Sequence, residues 1–191
     1  LNGDEYPRAV GAALQLAFQS ALEQIGRQSR HQEMLARHYL RVLSLLAASG
    51  VPTHWLEAAE KESFDACEAV SALAEFSVCQ FSEDGSKTMV HRLQGRVIRE
   101  SRENDPAERE RAEKEAVGIL ESVNITRVRS SDSDNRRREA LDLADQLRAA
   151  AEQKYSRNLF ADPRIGNVLA SALRYTTEFG APQAALSLSD A

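Results

Sequence analysis

A chain of 191 residues with 42% hydrophobic side chains is long and apolar enough to bury a sizeable core as one domain or two small ones, which excludes wholesale disorder. Aromatic residues make up only 6%, and an apolar set dominated by Ala and Leu favours close-packed helices. Acidic residues outnumber basic ones by 29 to 24, and the net charge of -5 gives no general attraction to nucleic acid or to an anionic membrane.

Pro7 to Ile25 places Val10, Leu14, Phe18, Leu22 and Ile25 on one helical face, with Gly26 as its expected end. The next helix uses Leu35, Tyr39, Val42, Leu43 and Leu46 and is expected to stop at Ser49-Gly50. Val51-Pro52-Thr53 introduces a short helix from His54 to Glu62, with Thr53 as candidate cap. Asp65 and Glu68 are spaced as a capping box for a helix reaching about Phe76. Then the period changes from helical to alternating. Ser77 to Phe81 and Lys87 to His91 read as two strands joined by Ser82-Glu83-Asp84-Gly85-Ser86, a hairpin turn. Arg92 to Glu100 returns to helical spacing.

Asp105-Pro106-Ala107-Glu108 restarts a helix by cap, proline and box, and that helix runs on Ala112, Ala116, Ile119, Leu120 and Val123. Glu110 and Lys114 are spaced for a surface pair. Asn124 to Asn135 reads as a loop. A helix from Arg136 to about Gln153 is expected to bury Leu141, Ala144, Leu147 and Ala151. Asp162-Pro163 opens another on Ile165, Val168, Leu169, Ala172, Leu173 and Thr176, ending at Gly180. Residues 181–191 read as an unfinished partner helix, in which Leu186 and Leu188 would line an uncovered apolar strip.

The pattern predicts a mainly α protein. A winged helix, meaning helices plus a two-stranded β-hairpin, occupies 32–104, and residues 1–31 form a helix leading into it. A helical region of repeated hairpins occupies 105–191. Ile165 to Ala191 is similar to a tetratricopeptide repeat, with Gly180 between two helices and Ala185 at a small packing position, although the large aromatic early in the first helix is missing.

Little catalytic chemistry is visible. The sequence contains no Gly-x-x-x-x-Gly-Lys-[Ser/Thr] loop, no Cys-x-x-Cys, no His-Glu-x-x-His and no nucleophile elbow, so neither an enzyme nor a metal site is expected. His31, His38, His54 and His91 are scattered. Cys67 and Cys79 read as free, buried thiols of a reducing compartment, hence the cytoplasm. No apolar run is long enough to span a bilayer and no signal peptide is recognisable. A start on Leu1-Asn2-Gly3 and an end in mid-pattern are those expected of an internal piece of a longer protein.

A winged helix invites a DNA-binding reading, in which the third helix needs basic or amide side chains in the major groove. Here Asp65 to Phe76 has no basic residue, and the hairpin tip carries Glu83 and Asp84, the wrong sign for a polyanion. The run Arg136-Arg137-Arg138, near Arg127 and Arg129, is interleaved with Asp132, Asp134, Glu139 and Asp142. It reads first as a solvated helix start and only second as a polyanion site.

The order of amphipathic helix, Leu-rich helix, Gly-Val-Pro, short helix, helix and hairpin, ending in Met89-Val90-His91-Arg92-Leu93-Gln94, resembles the winged-helix subdomain of NB-ARC-type STAND ATPases. It is most similar to bacterial ones in which tetratricopeptide repeats follow. The resemblance covers about Tyr6 to Arg102. It implies a non-catalytic regulatory and interaction segment for signal transduction. The winged helix would close over ADP or ATP held by an upstream NTPase domain, and the repeats would bind a protein partner or ligand. In that family a Met-His-Asp motif closes the winged helix and its His touches the β-phosphate of ADP. The matching triplet here is Val90-His91-Arg92, so the resemblance assigns nucleotide sensing to His91, with Arg92 as a neighbour in place of the acid. The alternatives are a winged-helix transcription regulator on DNA and a pure protein–protein scaffold. His91 follows a strand and precedes a helix and is expected to be held by both, with Val90 pointing into the core and Leu93 anchoring the helix; the alternative is a hinge or core histidine that merely packs under Leu93.

Overall fold

The computed structural model describes residues 5–58, 63–123, 125 and 133–179. Helix α1 spans Glu5–Gln28, α2 Arg30–Leu45, α3 Thr53–Ala58, α4 Ser63–Glu75, α5 Arg92–Glu100, α6 Pro106–Ser122, α7 Ser133–Ala151 and α8 Pro163–Glu178. Strand β1 is Val51–Pro52, β2 Gln80–Phe81 and β3 Lys87–Met89. A 3-10 helix, Lys154–Ala161, links α7 to α8. The protein is therefore mainly α with a small antiparallel sheet. That sheet has three strands in the order β1-β3-β2, not the two expected.

The third strand was hidden by its length. Val51 pairs with Thr88 and Pro52 with Lys87, and a two-residue strand has no alternation to read. Proline is tolerated because β1 is an edge. Gly50 makes the approach possible. Its φ of +106° suits glycine, and a Cβ there would stand 2.7 Å from Met89 Cγ and 2.9 Å from Lys87 Cβ. On the other side of β3, Gln80 faces Met89 and Phe81 faces Thr88. The turn is tied by Asp84, which accepts from Ser82 Oγ, Ser86 Oγ and Ser86 N–H at 2.6, 2.7 and 3.0 Å. These bonds, led by the two serine hydroxyls, hold its carboxyl well below the usual range.

Helix α2 is the hub, packing against α1, α4, α5 and α6. It buries Leu35, Ala36, Tyr39, Leu40, Val42 and Leu43, and the Tyr39 hydroxyl donates to the Leu56 carbonyl at 3.2 Å. Its N-terminus is capped by Ser29. It ends four residues before the expected Ser49. Side chains from distant segments take its terminal carbonyls, Arg99 Nη1 at Ser44 and Gln153 Nε2 at Leu45 (3.1 Å), so no glycine stop is needed. Gly26 does not end α1 either. It lies within the helix, where the lack of a side chain admits the Glu33 carboxylate, itself bound by Arg30 and Arg37.

Two other expected caps resolve differently. Asp65 and Glu68 do not form a box on α4. They reach α2 instead, Asp65 to His31 Nε2 (3.1 Å) and Glu68 accepting from Gln32 Nε2 (2.9 Å). Asp105 does cap α6, accepting from the Ala107 and Glu108 N–H groups at 3.1 Å, with Pro106 at the first position. Glu108, however, spends its carboxylate on Arg111 (3.0 Å) and Arg41 (3.7 Å). Asp162 caps α8 as its sequence indicates, and Glu110 pairs with Lys114 at 2.6 Å.

The apolar core is continuous from Phe18 to Tyr175 and crosses residue 104. Helix α6 is fastened to α2 by Arg41, whose Nε and Nη2 donate to the two Glu115 oxygens at 2.5 and 2.7 Å. Helix α7 buries Ala140, Leu143, Ala144, Gln146, Leu147 and Ala150, so Leu143 takes the place expected of Leu141. Most of the predicted loop 124–135, Gly180 and residues 181–191 with Leu186 and Leu188 lie outside the described residues. Cys79 is buried as expected and Cys67 is exposed, contrary to expectation.

Candidate functional site

The joint between β3 and α5 is built from four residues. Val90 is buried and pins the end of the strand. His91 leaves the strand with φ -57° and ψ 141° and becomes the N-cap of α5. The Leu93 N–H donates to His91 Nδ1 at 3.2 Å, and the His91 N–H donates to Gln94 Oε1 at 3.3 Å, a reciprocal cap in which imidazole replaces the usual hydroxyl. Gln94 Nε2 donates onward to the Ser77 carbonyl at 3.0 Å. Ser77 is the one non-glycine residue with positive φ (57°) among the described residues, so this bond ties α5 to the strained turn before β2.

This geometry decides the tautomer. A ring nitrogen that accepts a hydrogen bond carries no proton, so the neutral His91 ring bears its hydrogen on Nε2. The ring is exposed, and Nε2–H is left to donate outward. His91 is thus held at both strand and helix, as the sequence reading required. Leu93 is not the anchor expected of it. It is 43% exposed, because the cap turns it away from the core that Val97 and Ile98 enter.

Arg92 is exposed at the first position of α5 and opens onto a groove of about 570 Å³ between α5 and α7. Arg96 and Arg99 follow Arg92 at helical spacing along the same groove, and Arg148 enters from α7. Arg96 Nε donates to Glu100 (2.7 Å), Arg99 to the Ser44 carbonyl, and Arg148 to Asp145 (2.8 Å). Burial alone would raise the Asp145 carboxyl. Hydrogen bonds from Ser49 and Arg148 outweigh it and leave the pKa below the ordinary value, so the acid is charged beside the groove. The described structure thus brings Arg92 and three further arginines to one groove, which His91, its neighbour in the chain, does not line. The i, i+4, i+7 arginine spacing was legible in the sequence; Arg148, from a separate helix, was not.

Sequence reasoning also missed three polar joints that hold α7 in place. His54 Nε2 lies 2.6 Å from Glu139 Oε1, Trp55 Nε1 donates to Glu139 Oε2 at 2.8 Å, and Lys87 Nζ meets Asp142 at 2.6 Å. Gln146, fully buried, accepts from the Ala47 N–H at 2.7 Å and donates to the Gly50 carbonyl at 2.8 Å. Arg136, first of the basic run, lies over the Tyr175 and Phe179 rings at 5.5 and 5.9 Å. Arg138 lines a cavity beside Glu139 and Asp142. Of the three arginines, Arg136 is thus engaged with aromatic rings, while Arg138 is exposed at the cavity edge. Among the described residues no group of three or more His, Cys, Asp or Glu side chains is placed to hold a metal ion, and no helix is long and apolar enough to cross a membrane.

The chain matches no family model, no curated protein and no solved structure with which it was compared.

Proposed function

We propose that this chain is a non-catalytic regulatory and interaction segment of an NB-ARC-type STAND ATPase, with a winged helix that closes over ADP held by an upstream NTPase domain. The winged helix comprises α2, β1, α3, α4, the β2–β3 hairpin and α5, and the helices after it form repeat-like hairpins for a protein partner or ligand. What carries the reading is the state of His91. Its Nδ1 is consumed by the cap, which leaves Nε2–H as the donor of an exposed ring at a joint fixed by a strand, a helix and the Gln94–Ser77 bond. A phosphate oxygen is the complement of such a donor, and Arg92 beside it adds positive charge. The acid of the family motif has no counterpart at Arg92, so the proposed role rests on the histidine. A ligand held this way favours the closed arrangement only by binding it better than the open one.

A DNA-binding regulator fits less well, since Asp65 and Glu68 present carboxylates along α4 and Asp84 is charged at the hairpin tip. The experiment uses the chain extended upstream to include the proposed ATPase domain. His91→Asp keeps an oxygen that caps α5 but replaces the outward donor with an anion. ADP retention should fall by at least tenfold while the melting temperature holds. Equal ADP affinity in folded wild type and variant would mean that His91 only caps the helix.

A further inference from the structure

We infer that the cleft between α1, α2, α5 and the start of α6 binds a small monocarboxylate with an apolar body. Arg102 would hold the carboxylate, and Phe18, Leu22, Leu40 and Ile98 would support the body. This site is separate from the His91 flank and does not rest on the ATPase reading.

The cleft has a volume of about 380 Å³, within the range of small-ligand pockets. Its lining is mixed. Phe18, Leu22, Leu40 and Ile98 contribute apolar surface, and Arg37, Arg41 and Arg102 contribute guanidinium groups. The three arginines are not equivalent. Arg37 is committed to Glu33, which accepts from its Nε and Nη2 at 2.9 and 2.8 Å. Arg41 is committed to Glu115 through two bonds, with Glu108 behind it. Glu108 also lines the cleft; it pairs with Arg41 and Arg111, and its charge reaches Arg102 without a direct ion pair.

Arg102 is different. It follows α5 in the turn before α6, and its one side-chain hydrogen bond is from Nη1 to the Ser44 hydroxyl at 3.5 Å, the outer limit of such a bond. No carboxylate pairs with it among the described residues. Burial, reinforced by the charge of Arg41 and only partly offset by the more distant carboxylates of Glu108 and Glu115, brings its pKa down to about 10, so the guanidinium is desolvated and lacks a direct ion pair. A guanidinium has five donors in a planar fork that matches a carboxylate in two parallel bonds. A half-buried cation of this kind is costly without a partner, and a bound carboxylate would supply one. The apolar surface sets the rest of the ligand. Inorganic phosphate would leave that surface unused and would bring two charges to a single uncommitted guanidinium. A neutral alcohol would leave Arg102 unpaired.

The test is isothermal titration calorimetry of the 191-residue chain with octanoate, octanol and inorganic phosphate. Octanoate should bind saturably, and at least tenfold more tightly than either octanol or phosphate. Arg102→Met, which keeps the stem and removes the charge, should weaken octanoate at least tenfold without lowering the melting temperature. Gln19→Trp, on the exposed rim of α1, should obstruct the cleft and also weaken octanoate at least tenfold. If Arg102→Met does not fold, Gln19→Trp decides the matter. Absence of octanoate binding at millimolar concentration, octanol binding as tight as octanoate, or unchanged octanoate affinity in a folded variant would each overturn the assignment.

Discussion

Gln146→Leu should destabilise the protein far more than its small change in volume suggests. Gln146 is fully buried on α7 and makes two hydrogen bonds to backbone 96 and 99 residues away, to the Gly50 carbonyl and from the Ala47 N–H. Leucine keeps most of the packing volume, so the cavity contribution is small. It leaves one buried donor and one buried acceptor without partners. Each such orphan costs about 1–3 kcal/mol, so the pair should cost about 2–5 kcal/mol after some relaxation. In a domain of this size each kcal/mol lowers the melting temperature by about 2–4 °C. Urea unfolding followed by the fluorescence of Trp55, the single tryptophan and itself buried, measures the change directly. A loss below about 1 kcal/mol with an unchanged slope would refute the claim that this side chain holds the α2–β1 link to α7.

His91→Ala should lower stability by about 0.5–2 kcal/mol through loss of the α5 cap, and His91→Asp should recover it; thermal melts of the three proteins decide this. Cys67, being exposed, should react with a thiol reagent in the native protein, whereas burial pushes Cys79 up to about 12 and should leave it inert until unfolding. Two fast-reacting thiols in folded protein would contradict the packing around Val70 and Leu73. The His54–Glu139 pair should give a bounded pH window. The Glu139 hydrogen bond raises the His54 pKa, so that contribution is full below the ordinary histidine value and is lost as pH rises through the raised one. Burial would raise Glu139, but bonds from His54 and Trp55 outweigh it and lower its pKa, so its contribution is lost as pH falls through that lowered value. Glu139→Gln should flatten the stability profile above neutral pH. Because His54 is largely exposed, the effect is modest.

Much of the fold was legible because helices announce themselves locally. The stripes of α1, α2, α6 and α8 and the Asp-Pro starts at Asp105 and Asp162 are short-range patterns, and each stands close to its expected place. What failed was long-range. Strand β1 exists only because β3 lies beside it, and the end of α2 is set by Arg99 and Gln153, 55 and 108 residues from the carbonyls they bind. Asp65 and Glu68 had the spacing of a box, yet His31 and Gln32 on α2 offered partners that spacing cannot reveal. The candidate site shows the same division. His91 and Arg92 were named from a local motif, and the capping role of His91 follows from its place before a helix. Arg148 and the α7 joints required the tertiary structure. The exposed Leu93 is the sharpest difference, since an apolar residue at a helix start reads as core until the cap fixes the direction of the turn.

The position of α7 gives these details one mechanical consequence. It meets α3 through Glu139, β3 through Asp142 and the α2–β1 link through Gln146, while its other side packs on α8. The first two contacts are ionic and solvent-accessible, whereas the third is fully buried. Charged contacts at a surface weaken with salt and pH, but a satisfied buried amide does not. The two kinds of contact converge on one sheet: Gly50, whose carbonyl accepts from Gln146, closely approaches Met89 and Lys87, and β1 pairs with β3, so the buried amide ties α7 to the same strand that carries the Lys87–Asp142 pair.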